Sequence, residues 1–151
     1  MKRNIFVLVL ISILGIAPLC SAGTPSGNAS IEEVKKETRD LLQTLGAYTA
    51  DQKDKAVQKT KAALDKLNRH IDALEERVLA NWDKLDKAAR ERARESLKAL
   101  RKQRDQAAEW YGRLKASSGN AWENTRQGFS DAYKALSDAW EKSEKDLGFD
   151  K

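Results

Sequence analysis

The chain of 151 residues has one cysteine, one histidine and two prolines, and each shortage excludes a class of function. Cys20 has no second cysteine to pair with, so no intrachain disulfide can form. A structural zinc site needs several Cys or His ligands at set spacing, which Cys20 and His70 alone do not supply. The residues three and four positions from His70 are Lys66, Leu67, Ala73 and Leu74. None is a carboxylate that could orient the imidazole, so a solvated or seam-edge histidine is expected there. Asp65, Asp72, Glu75 and Glu76 share their surface with Lys and Arg, which reads as solvated helix rather than a cation site. No nucleophile constellation and no glycine-rich phosphate loop is present. A non-enzymatic protein is expected, with no cofactor, metal or small-molecule substrate.

Long apolar runs are also scarce. The one candidate lies in "MKRNIFVLVLISILGIAPLCSAG", where basic Lys2 and Arg3 precede an apolar stretch from Ile5 to Ala17. That stretch is too short to cross a bilayer core of ~30 Å comfortably. Pro18 ends it, and Cys20-Ser21-Ala22 offers small residues for cleavage before Gly23, the pattern of an export signal over 1–22. Lipidation of Cys20 calls for a small residue before it, whereas Leu19 stands there, so an unanchored periplasmic or secreted protein is expected. Losing Lys2 and Arg3 takes the basic count from 28 to 26 against 23 acidic residues, a net charge of +3. So mild a bias gives no nucleic-acid partner, and "RKQR" (101–104) reads as solvated face.

What is abundant is helix. After a flexible linker, "GTPSGNAS" (23–30), Ser30 is placed to cap a helix over about 31–46, with Glu32 and Glu33 at its positive end and Gly46 interrupting it. Thr49 and Gln52 form a capping-box pattern for the next helix. From Ala50 to Tyr111 there is neither glycine nor proline. Ile71, Leu74 and Val78 are followed eleven residues later by Trp82, Leu85 and Ala89, then by Ala93, Ser96 and Leu100. Eleven residues make three turns of 3.67, which keeps one stripe on one side and predicts a continuous helix over 50–116, roughly 100 Å long. The competing arrangement is a hairpin at "NWDKLD" (81–86), capped by Asp83 or Asp86. "KASSGNAW" (115–122) is a clear break, with Asn120 placed to cap a last helix over 120–147 and Gly148 opening a short tail, 148–151.

The last helix carries Trp122, Phe129, Tyr133, Leu136 and Trp140 on a heptad seam. Folded back about Ser118, Trp122 faces Leu114, Phe129 faces Ala107, Leu136 faces Leu100 and Trp140 faces Ser96, large against small. Arg126 then meets Trp110 and Tyr111, and Arg104 meets Tyr133, in cation–π geometry. Residues 86–115 hold ten basic and five acidic side chains, while 119–147 hold four and six, a further complement between these two helices. The aromatics thus read mainly as hairpin core, with an aromatic cage or a membrane wedge as the alternatives. The first helix folds back more weakly, Val34 on Ala63 or Leu64 and Leu41 on Ala56.

The expected fold is all-α, an elongated antiparallel coiled coil built on one long helix, with a C-terminal helical hairpin and a shorter N-terminal helix. Ile71, Leu74, Val78, Trp82 and Leu85 then lie beyond the reach of both flanking helices. Each contributes ~1.5–3 kcal/mol when buried. The stripe therefore binds a partner, self-associates, or is buried by a bend at Trp82.

Residues 70–140, and in particular "AEWYGRLK", "NAWE" and "GFSDAYKALSDAWEK", resemble small exported bacterial coiled-coil proteins, some labelled stress-response and most uncharacterised. The resemblance implies the bacterial envelope and a link to stress, with no catalytic residues to carry over. The function expected is an envelope stress-associated module that binds or protects proteins, its partner a destabilised protein or its own copies on the 71–85 stripe. The alternative is a peripheral protein of membrane surfaces, since eleven-residue amphipathic repeats with tryptophan also suit lipid.

Overall fold

The computed structural model describes residues 30–147. The expected export signal over 1–22, Cys20, the expected cleavage point at Gly23, most of the linker and the 148–151 tail lie outside the described residues. Within them the chain is all-α, four helices packed together: α1 Ile31–Ala47, α2 Lys53–Ala80, α3 Lys87–Ala116 and α4 Trp122–Asp146.

Local chemistry sets most of the helix ends. The Ser30 hydroxyl accepts the Glu33 backbone N–H at 3.1 Å and starts α1, which runs through Gly46 to Ala47. A 3₁₀ turn at Ala50–Gln52 leads into α2, with the Gln52 side chain accepting the Thr49 N–H at 3.3 Å. The Asp86 carboxylate accepts the Ala89 N–H at 2.7 Å and starts α3. At α4 the expectation fails by one residue. The N-cap is Ala121, whose own N–H donates to the Ser118 carbonyl at 3.0 Å, and Asn120 lies outside the helix.

The helix expected over 50–116 is divided. Asn81 closes α2, donating backbone and side-chain N–H to the Arg77 carbonyl at 3.1 and 2.8 Å. A 3₁₀ turn at Trp82–Lys84 and an extended Leu85 then reverse the chain into Asp86. The reason is burial. Ile71, Leu74 and Val78 face the core and are essentially inaccessible. Three such side chains gain ~1.5–3 kcal/mol each, more than the few helical hydrogen bonds given up to water at ~0.5–1.5 kcal/mol each. The longest helix, α3 with 30 residues, therefore spans about 45 Å rather than ~100 Å.

Cross-helix pairs define the directions. On the α2–α3 edge, Arg101 reaches Glu75 and Arg104 reaches Asp72, each at 3.0 Å. On the α1–α4 edge, Thr38 and Ser137 share a hydroxyl hydrogen bond of 2.8 Å, and Lys35 pairs with Glu141 at 3.3 Å. Glu37 and Lys66 join α1 to α2. On the α2–α3 and α1–α4 edges one residue number rises as the other falls, so these neighbours are antiparallel. Across the diagonal, α2 and α4 run in parallel, with His70 beside the Trp140 ring at 6.1 Å and Arg77 paired with Glu144. This is an up-down-up-down bundle.

The aromatics of α4 fill its centre: Trp122, Phe129, Tyr133 and Trp140 are all buried. They share one core cluster with Ala93, Leu100, Ala107 and Leu114, which recur every seventh residue along α3. Near the expected register, the Trp110 ring lies over Gly128, and Ser96 lines one groove with Ala139. The expected cation–π pairs are replaced. Arg126 pairs with Glu123 of its own helix, Arg104 turns to Asp72, and the guanidinium over Trp110 belongs to Arg113, 4.7 Å from the ring centroid. The named basic partners of α3 thus find their acids on α2 rather than on α4.

Candidate functional site

The five stripe residues part company at the α2–α3 end of the bundle. Ile71 and Leu74 are wholly in the core, so the premise that they lack a partner within the chain does not hold. Val78 is buried too, 1 % exposed, but it forms the floor of an open groove. Trp82 and Leu85 are half-buried and pack on the edge of the core. Only Val78 and Trp82 of the five line the groove.

The groove is built from the last turn of α2, Trp82 of the 3₁₀ turn, and the second to fourth turns of α3. Leu79 follows Val78, and one helical step of about 100° carries its side chain out of the core. It is 72 % exposed. Across from it, in the register set by the Glu75–Arg101 and Asp72–Arg104 pairs, stands Leu97, half-buried. The cavity between them holds about 480 Å³. Its rim is basic. Arg94, Lys98 and Arg101 line it from α3, all three exposed.

Trp82 is held at one end of the groove by two cations. The guanidinium carbons of Arg90 and Arg94 lie 5.5 and 5.1 Å from its ring centroid, within cation–π range. Arg90 also donates its Nε–H to the Trp82 carbonyl at 3.1 Å. That carbonyl accepts the Leu85 N–H at 3.1 Å as well, so one backbone oxygen ties the turn to α3. Two rim cations have acidic partners, Arg94 with Glu91 at 2.9 Å and Arg101 with Glu75 at 3.0 Å. Arg94 and Glu91 are both well exposed, so their pair is weak and exchanges readily.

Leu79, Arg94, Leu97, Lys98 and Arg101 were not legible as a site in the sequence. A hairpin register places Leu79 opposite Leu97, and that register was the missing signal. Without it Leu79 is one apolar residue off the inward phase. His70 lies away from the groove, buried at the α2–α4 diagonal. Burial pushes its imidazole below the ordinary value of 6.5; Glu37 and Glu33 of α1 oppose this, while Lys66 and Arg69 of α2 reinforce it. Among the described residues no group of three or more His, Cys, Asp and Glu is arranged to hold a metal ion. No described helix is long and apolar enough to cross a membrane. The chain matches no family model, no curated protein and no solved structure.

Proposed function

We propose that this is a non-enzymatic binding module of the bacterial envelope, in which the four-helix bundle is the scaffold and the α2–α3 groove is the working surface. The observation that carries the reading is Leu79. It is large, apolar and 72 % exposed, and it sits beside Trp82 and Leu97 rather than alone. Trp82 and Leu97 are half-buried and the patch is small, so what sets Leu79 apart from a scattered surface residue is the groove it borders. Export rests on the pattern of residues 1–22, and the stress link on the likeness of residues 70–140 to exported bacterial coiled-coil proteins. The partner is a protein that shows apolar side chains, as a destabilised protein does.

A light-scattering assay tests this. The protein without residues 1–22 is expected to slow aggregation of a heat-unfolding reporter enzyme, and Leu79→Lys to lose most of that effect while keeping its helicity. Equal protection by Leu79→Lys would sever the function from the groove. A second reading, attachment to an anionic lipid surface, is favoured by Trp82 lying under two guanidinium groups. Flotation with phosphatidylglycerol vesicles distinguishes it.

A further inference from the structure

We infer that the groove takes a short amphipathic helix whose apolar face is flanked by carboxylates; this rests on the binding-module reading above and specifies its partner. Three features select that occupant. The first is shape. Two antiparallel helices leave a trough with Leu79 on one wall, Leu97 on the other and Val78 beneath. Protruding side chains at helical spacing fill such a trough, in the helix-in-groove manner. A flat bilayer leaves it empty.

The second is the pattern of charge. Arg94, Lys98 and Arg101 stand at i, i+4 and i+7 along α3, which places them on one face in a row about 10 Å long. A helix lying along the trough presents its own flank at the same spacing. Glu or Asp at three such positions meets all three cations, and the occupant needs only two to three turns, about eight to eleven residues. Glu91 is exposed like Arg94 and gives it up at little cost, whereas Glu75 is only 21 % exposed and keeps Arg101, which shares its guanidinium with the incoming carboxylate.

The third feature weighs against a second copy of this chain docked groove to groove. That arrangement sets one Arg94-Lys98-Arg101 row against another, and like charges brought face to face are destabilising. The 71–85 stripe as a whole is not open to a second copy for a different reason, since Ile71, Leu74 and Val78 are buried within the bundle.

The test uses two synthetic peptides of about twelve residues, three turns of helix. Both carry Leu or Phe at i, i+4 and i+7; one has Glu at the flanking positions and the other Lys. Binding of each labelled peptide is followed by fluorescence anisotropy at low and high salt. The Glu peptide is expected to bind at least about tenfold more tightly than the Lys peptide, with the difference shrinking as salt rises. Lys98→Glu is expected to weaken the Glu peptide about tenfold and to strengthen the Lys peptide. Leu79→Ser is expected to weaken both. Both substituted side chains are exposed, and unchanged far-ultraviolet circular dichroism confirms that each variant is folded. Equal affinity for the two peptides, or a Lys98→Glu variant that leaves the preference unchanged, overturns the inference. So does Leu79-dependent flotation on phosphatidylglycerol vesicles without peptide binding, or a dimer that Leu79→Ser dissociates. If neither peptide binds yet Leu79 still governs aggregation, this inference fails and the binding-module reading stands. If Leu79 governs neither, both fall.

Discussion

At Gly128 two effects of known size oppose each other. Alanine is favoured over glycine inside a helix by ~1 kcal/mol. A Cβ at 128, however, would lie 2.3 Å from the Trp110 ring, and forcing extra volume into a packed contact costs ~1–3 kcal/mol. Gly128→Ala is therefore expected to destabilise by about 1 kcal/mol alone and to stabilise by a similar amount in a Trp110→Ala background. Urea midpoints of the four proteins check this, and the same sign in both backgrounds refutes the contact. His70 supplies a pH prediction. Its folded pKa lies below the unfolded value of 6.5, so the unfolded chain binds the proton more readily. This contribution to stability is complete above 6.5 and is lost as pH falls from 6.5 through the folded value. Unfolding midpoints at about pH 8 and about pH 5 are expected to differ less in His70→Gln than in the parent. The sequence showed this histidine to have no local carboxylate. It did not show the Trp140 ring or the acids of α1, because these come from helices about thirty or seventy residues distant along the chain.

The helices were legible in unequal degree. Ser30 announced α1, and Asp86, one of two caps offered for the alternative hairpin, starts α3, because a short oxygen-bearing side chain before a helical run satisfies an otherwise orphaned N–H. Asp86→Ala is expected to cost ~1 kcal/mol, read as a shift in melting temperature without change of fold. The α2–α3 turn was legible only as an alternative. The apolar phase runs unbroken from Ile71 through Trp82 to Leu100, so periodicity alone favours one straight helix. What decides the matter is the gain from burying Ile71, Leu74 and Val78, a tertiary quantity that no local pattern contains. Helix α1 is the least secured element. Its buried face is Val34, Thr38, Leu41 and Leu45, one of the four polar, and it is the shortest of the four helices at 17 residues. Its amides are expected to exchange with deuterium sooner than those of α3 or α4. Ser137→Ala, which removes the Thr38 hydroxyl's partner on α4, is expected to hasten that exchange and to cost about 1 kcal/mol.

For the molecule as a whole, the turn at 81–86 has a consequence for assembly. The eleven-residue phase passes through it intact, so straightening it would fuse α2 and α3 into one helix without turning any core residue outward. In that extended form the α1–α2 half of one chain could dock on the α3–α4 half of another, remaking between chains the contacts that now join the two halves, while α1–α2 and α3–α4 stay packed within each chain. The two forms differ only in the turn and in the entropy of joining two chains, the condition under which proteins exchange segments. Asn81, Asp83 and Asp86 disfavour the extended form, Asn81 and Asp86 by the hydrogen bonds they make in the turn and Asp83 by its poor helix propensity. Replacing all three with alanine is expected to produce a segment-exchanged dimer, seen by sedimentation as a concentration-dependent species with unchanged helicity. Diluting it below its dissociation constant is expected to return the hairpin slowly, since both chains must partly unfold to part. The straight helix of the sequence pattern then corresponds to a second way of folding the same chain, held in reserve by three polar residues.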